Sequence, residues 1–155
     1  MIRVDAGNDL HELLNRAVQL GKSARLDVAV PFYDTDGSLW RRLTAACESG
    51  ARVRLLARPG DAMRERILHE LSDSGARVIR LPRLHAKTFL LTHKACRHSM
   101  GWIGSHNFTK ASENTAQELG VAFWGPGRLE NRLLQQALIQ LNAWEHEALR
   151  VRGSA

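Results

Sequence analysis

With 155 residues, 44% of them apolar and 25% charged, the chain is long enough for one domain with a real core and has the make-up of an ordinary folded protein. No apolar run approaches the ~20 residues of a membrane span. The opening Met1-Ile2-Arg3-Val4-Asp5 has no signal-peptide layout, and Cys47 and Cys96 are too few for a disulfide framework, so a cytoplasmic protein without stable membrane association is expected.

The net charge of +6 is unevenly placed. Residues 51–100 carry eleven Lys/Arg against four Asp/Glu, whereas residues 1–50 carry six against seven and residues 101–155 five against five. A polyanion is the natural partner of such a middle segment, and a solvated basic surface is the plainer alternative.

In chain order, Leu10, Leu13, Leu14, Ala17 and Val18 recur at helical spacing, with Gly21 placed to stop the helix. Leu26 to Val30 reads as a buried strand ended by Pro31. Asp36 or Ser38 can cap a helix through Leu39, Trp40, Leu43, Ala46 and Cys47, closed by Gly50. Val53 to Ala57 is a second strand, stopped by Pro59-Gly60. Asp61 caps a third helix with Met63, Ile67, Leu68 and Leu71, and Val78 to Leu81 is a third strand. His85 to Leu91, Met100 to Ile103 and Leu119 to Trp124 read as further strands. Leu129, Leu133, Leu134, Ala137, Leu138, Leu141 and Trp144 form one broad face of a last helix.

This order predicts an α/β fold: a mixed, largely parallel β-sheet flanked by helices on both faces, as a single domain over 1–150 with a short tail at 151–155. Ligands of such sheets sit beyond the carboxyl ends of the strands. The segments Phe32-Tyr33-Asp34-Thr35 and Arg58-Pro59-Gly60 lie there, so Tyr33 and Arg58 are candidate substrate contacts, with plain loop as the alternative.

The chemistry-bearing stretch is Leu84 to Glu118. His85 and Lys87 are two apart, so at strand spacing their side chains leave the same face. An imidazole beside an ammonium suits a phosphate diester: the first can attack phosphorus or protonate a leaving oxygen, and the second neutralises non-bridging oxygens. Gly104-Ser105-His106-Asn107 adds a hydroxyl, an amide and a flexible backbone, all suited to a phosphate.

Together these residues resemble the signature of the phospholipase D superfamily: His-x-Lys, four residues, Asp, then Gly-Ser-x-Asn. The run Asn107-Phe108-Thr109-Lys110-Ala111 is similar to the small bacterial nucleases of that family, and Glu118 falls where they carry a glutamate. The departure is Thr92, which stands where the signature has aspartate; the Thr92-to-Gly104 loop is also longer than usual.

The resemblance implies a phosphodiesterase, most simply a nuclease acting on DNA or RNA without metal or other cofactor. Its catalytic residues would be His85, Lys87, Ser105, Asn107 and Glu118, with Gly104, His106 and Lys110 joining Tyr33 and Arg58 at the substrate. Only one copy of the motif is present, so two chains would meet as a homodimer around a shared site. One His85 would form a phosphohistidine, the other would act as acid and base, and Glu118 would set the tautomer of His85. Activity would peak near the histidine pKa.

Two other functions stay open. One is a lipid phosphodiesterase of the phospholipase type. The other is a nucleic-acid-binding module with weak or no catalysis, for which Thr92 would be the mark. His93, Cys96 and His98 cluster without matching a standard zinc pattern and read as a solvated loop. Trp102 and Trp124 read as core rather than as base-stacking platforms.

Overall fold

The period-two and helical runs of the sequence become seven strands and five helices in the computed structural model, which describes residues 1–5, 7–95, 98–114 and 118–152. The strands are β1 (Ile2–Asp5), β2 (Ala24–Val30), β3 (Arg52–Ala57), β4 (Arg77–Arg80), β5 (Thr88–His93), β6 (Met100–Gly104) and β7 (Gly120–Trp124). The helices are α1 (Asn8–Leu20), α2 (Ser38–Glu48), α3 (Ala62–Asp73), α4 (Lys110–Asn114) and α5 (Arg128–Arg152). The short α4 and the edge strand β1 add to the elements expected from the sequence.

One sheet runs β1-β7-β6-β5-β2-β3-β4. It is mixed, but the expectation of a largely parallel sheet is corrected. Only β2–β3 and β3–β4 pair in parallel; the other four pairings are antiparallel. The cause lies in residues 81–87. They leave the edge strand β4 and cross the carboxyl ends of β3 and β2 to reach the far side of β2. With no helix to carry the chain back, β5 enters from the same end and runs antiparallel to β2.

The sheet is covered on both faces, as the alternating pattern requires. On one face, Leu26, Val28, Leu55, Phe89 and Trp102 pack with Leu10, Leu14, Leu43 and Leu68 of α1, α2 and α3. On the other, Ala29, Leu56, Ile79, Leu90 and Phe123 pack with Leu134 and Leu141 of α5.

A buried ion network pins α5 to that second face. Asp27 of β2 is fully buried and accepts from Arg54 Nε at 2.5 Å and from Arg25 Nε at 2.8 Å. Arg54 Nη1 reaches α5, at Asn142 Oδ1 and Glu145 Oε2, both 2.7 Å away. Arg77 closes the network on Glu145. Val4 of β1, Val121 of β7 and Ile103 of β6 stand opposite one another on adjacent strands and are exposed.

Candidate active site

The topology gathers the candidate residues at one edge of the sheet. The carboxyl ends of β1, β2, β3, β4 and β6 lie there with the amino ends of β5 and β7. His85 and Lys87 therefore approach this edge just before β5 rather than within it. His85 is exposed and Lys87 half-buried. The Lys87 carbonyl accepts from Gly104 N at 3.2 Å, which ties the first half of the motif to the second.

Ser105 follows β6 and is held on both sides. Its backbone N donates to the Leu119 carbonyl, and its hydroxyl oxygen accepts from Leu119 N, each at 3.0 Å. The hydroxyl proton goes to the Glu118 carboxylate. Burial works to raise the Glu118 carboxyl, but hydrogen bonds from Ser105 and Ser112 and the charges of His106 and Lys87 outweigh it. The group is held below the ordinary carboxylate value. The expected hydrogen bond from His85 to Glu118 is not formed within one chain; Glu118 is wired to the two serines instead.

Asn107 is half-buried. Its backbone N donates to Ser112 Oγ at 3.3 Å, and its Oδ1 is buried without a hydrogen-bond partner. A desolvated acceptor of this kind is costly unless something at the site meets it. Lys110 is exposed at the start of α4, its backbone N donating to Asp34 Oδ2 at 3.1 Å. Asp34, Phe32 and Phe108 bind the loop after β2 to the segment after the motif, through Phe108 N to Phe32 O and Asp34 N to Phe108 O.

Three of the expected substrate contacts point elsewhere. Tyr33 is buried, stacked on Trp40, with its hydroxyl donated to the Arg58 carbonyl; it supports the loop that carries Arg58. His106 is turned inward against Trp102, its Nδ1 buried and unpartnered. It lies so close to Gly7, where φ is +104°, that a Cβ there would meet His106 Nε2 at 2.7 Å. A Cβ on Gly104 would run into Trp102 and the β7 backbone, so that glycine is a packing residue. Trp102 itself is core, donating Nε1 to Asp5 at 3.1 Å.

Arg58 is exposed, and its guanidinium lies over the Phe32 ring, as does that of Arg64. Much of the middle segment's positive charge is spent on structure: Arg54 is in the buried network, Arg80 pairs with Glu65, Arg66 with Glu70 and Arg77 with Glu145. Arg58, Arg83 and Lys87 remain at the site edge. Sequence reasoning missed a groove of about 860 Å³ beside His85, between the β4–β5 connection and Trp144 of α5.

Thr92 lies five residues beyond Lys87, roughly 17 Å along β5, with its hydroxyl toward the Arg25 carbonyl. A residue there cannot touch a phosphate held at His85. Cys96 lies outside the described residues; His93 and His98 meet edge to face.

The family model described as "Cardiolipin synthase, PLD-like domain" matches residues 10–140. No curated protein sequence matches the chain significantly. Among solved structures it is similar to Nuc from Salmonella typhimurium, a phospholipase D family member, with 19% identity and a TM-score of 0.64, covering 92% of this chain and 94% of that one. NucT from Helicobacter pylori has 11% identity and a TM-score of 0.66, with 96% of each chain covered. The archaeal chromatin protein TrmBL2, whose structure shows a novel mode of DNA binding, has 11% identity and a TM-score of 0.59, covering 95% of this chain and 53% of that one. Likenesses at such identities concern the fold.

Proposed function

The chain belongs to the phospholipase D-like family, and from that premise we propose that it is a metal-independent nuclease working as a homodimer. The observation that carries the proposal is the meeting of His85, Lys87, Ser105, Asn107 and Glu118 at one sheet edge, in a chain holding a single copy of the motif.

In the proposed reaction, an imidazole nitrogen of His85 attacks phosphorus, and the bond to the leaving oxygen breaks. That oxygen takes a proton from His85 of the partner subunit. The same imidazole then removes a proton from water, whose oxygen attacks phosphorus and releases His85. Lys87 supplies the positive charge for the non-bridging oxygens, and Asn107 a side-chain amide. Glu118, kept ionised by Ser105 and Ser112, is a fixed negative charge available to a histidine N–H across the two-fold axis.

Two features support this reading. Exposed Val4, Ile103, Leu119 and Val121 form an apolar surface beside Ser105 and Glu118, suited to a second copy. Arg58, Arg83 and Lys87 leave the site edge positive, as a polyanion requires.

A second reading, hydrolysis of a lipid phosphodiester, is favoured by the apolar lining of the groove beside His85. No helix among the described residues is long and apolar enough to cross a membrane.

The test is cleavage of labelled single- and double-stranded DNA and RNA in EDTA from pH 5 to 8, by wild type and His85→Ala. Cleavage by wild type alone is expected. A folded dimer that cuts no nucleic acid but hydrolyses phosphatidylcholine vesicles would reverse the ranking.

A further inference from the structure

We propose that the groove between α5 and residues 81–86 receives an unpaired nucleobase next to the scissile phosphate, so that the substrate is single-stranded nucleic acid. The inference rests on the nuclease reading and narrows it.

His85 itself lines the groove, so anything bound there adjoins the reacting phosphorus. Its volume of about 860 Å³ falls within the range of small-ligand sites. It is lined by the half-buried indole of Trp144, with Glu147 and Ala148 next to it on α5, and by Pro59, Pro82 and Leu84. Every base has a π-face, so an indole among apolar side chains takes any of the four. Arg83 stands exposed at the rim and joins no salt bridge among the described residues, which leaves its guanidinium to a backbone phosphate.

The shape selects against a duplex. A paired base is stacked between neighbours and tied to its complement, and entering a pocket requires breaking both sets of contacts; an unpaired base enters without that cost. The position of Trp144 is secured from behind, because Asn142 and Glu145 on the same turn of α5 are bound to Arg54.

The test uses the whole chain and three labelled substrates: a single-stranded oligodeoxynucleotide, its duplex, and a single strand with abasic units flanking the cleaved phosphate. Trp144→Ala is expected to lower kcat/KM on the intact single strand about 5- to 150-fold, the range of base–aromatic stacking. It should leave the abasic strand unchanged. Trp144→Phe should keep most of the activity. Arg83→Ala, at an exposed position that does not endanger folding, should weaken both single strands.

The inference is overturned if folded Trp144→Ala and Arg83→Ala cleave the intact strand as wild type does, or if Trp144→Ala loses equally on the abasic strand. It is also overturned if Trp144→Ala splits the dimer in sedimentation, which would make the groove a subunit interface, or if the variant loses only phosphatidylcholine hydrolysis, which would make it an acyl-chain site. If wild type cleaves no nucleic acid, the nuclease reading fails. Binding of the labelled single strand to His85→Ala, with and without Trp144→Ala, then decides the groove: Trp144-dependent binding supports it, and equal binding overturns it.

Discussion

Replacing Arg54 by methionine is expected to be among the most damaging single changes outside the site. The substitution keeps an apolar stem of similar length and removes the guanidinium that joins β3 to β2 and α5. Asp27, fully buried, would keep only the half-exposed Arg25. Glu145 would keep only Arg77, which is exposed. Removing one partner of a buried ion pair costs about 3–5 kcal/mol, because the remaining charge is left desolvated. A domain of this size loses roughly 2–4 °C of Tm per kcal/mol, so the melting point should fall by about 6–20 °C. The control is Arg66→Met: the Arg66–Glu70 pair is exposed on α3 and should be worth at most about 1 kcal/mol. Urea unfolding followed by far-ultraviolet circular dichroism at pH 7 measures both. A loss for Arg54→Met no larger than that for Arg66→Met would refute the reasoning. A double-mutant cycle of Arg54→Met with Glu145→Gln should show a coupling above about 0.5 kcal/mol, since the two groups are in contact.

Glu113→Ala removes a cap supplied from outside the helix it caps: the carboxylate accepts from Ser38 N and Leu39 N at 2.7 Å each, at the start of α2. The expected loss is about 2 kcal/mol at pH 7, read by thermal melting. Burial works to raise the Glu113 carboxyl, but these hydrogen bonds and the nearby His11 outweigh it and hold it low. Its contribution is thus present above the ordinary glutamate value of ~4.3 and is lost as pH falls through the depressed one, so the gap between wild type and Glu113→Gln should close in acid. Ser105→Ala removes a hydrogen bond to the ionised form of Glu118 and should move that carboxyl upward toward the ordinary value, as seen by carbon-13 titration of its side chain; an unmoved titration would mean that Ser105 does not hold it. Thr92→Asp restores the signature residue far from His85, and the rate of oligonucleotide cleavage should not rise.

The local elements and the candidate reacting groups are legible in the order of the amino acids alone. Helical spacing in 10–18 and 39–47 and turn residues such as Gly21 and Pro31 act over a few neighbours, so they are legible without the fold. The motif positions are legible for the same reason: the groups proposed to do the chemistry lie close together in the chain and in a fixed order. Asp27 lies within the buried run Leu26 to Val30, where a carboxylate requires a partner, and the fold supplies Arg54 and Arg25.

Strand direction follows from the closed fold, since residues 81–87 could have led to either face or either end of the sheet. The same fold turned Tyr33 and His106 inward, gave Glu118 to Ser105 and Ser112, and let Glu113 cap a helix 75 residues away in the chain. Trp144 looked like one more member of the apolar stripe of α5, because periodicity reports that a face is apolar and not what it faces. Such facts depend on contacts between distant segments, and those follow from how the whole chain closes rather than from spacing along it.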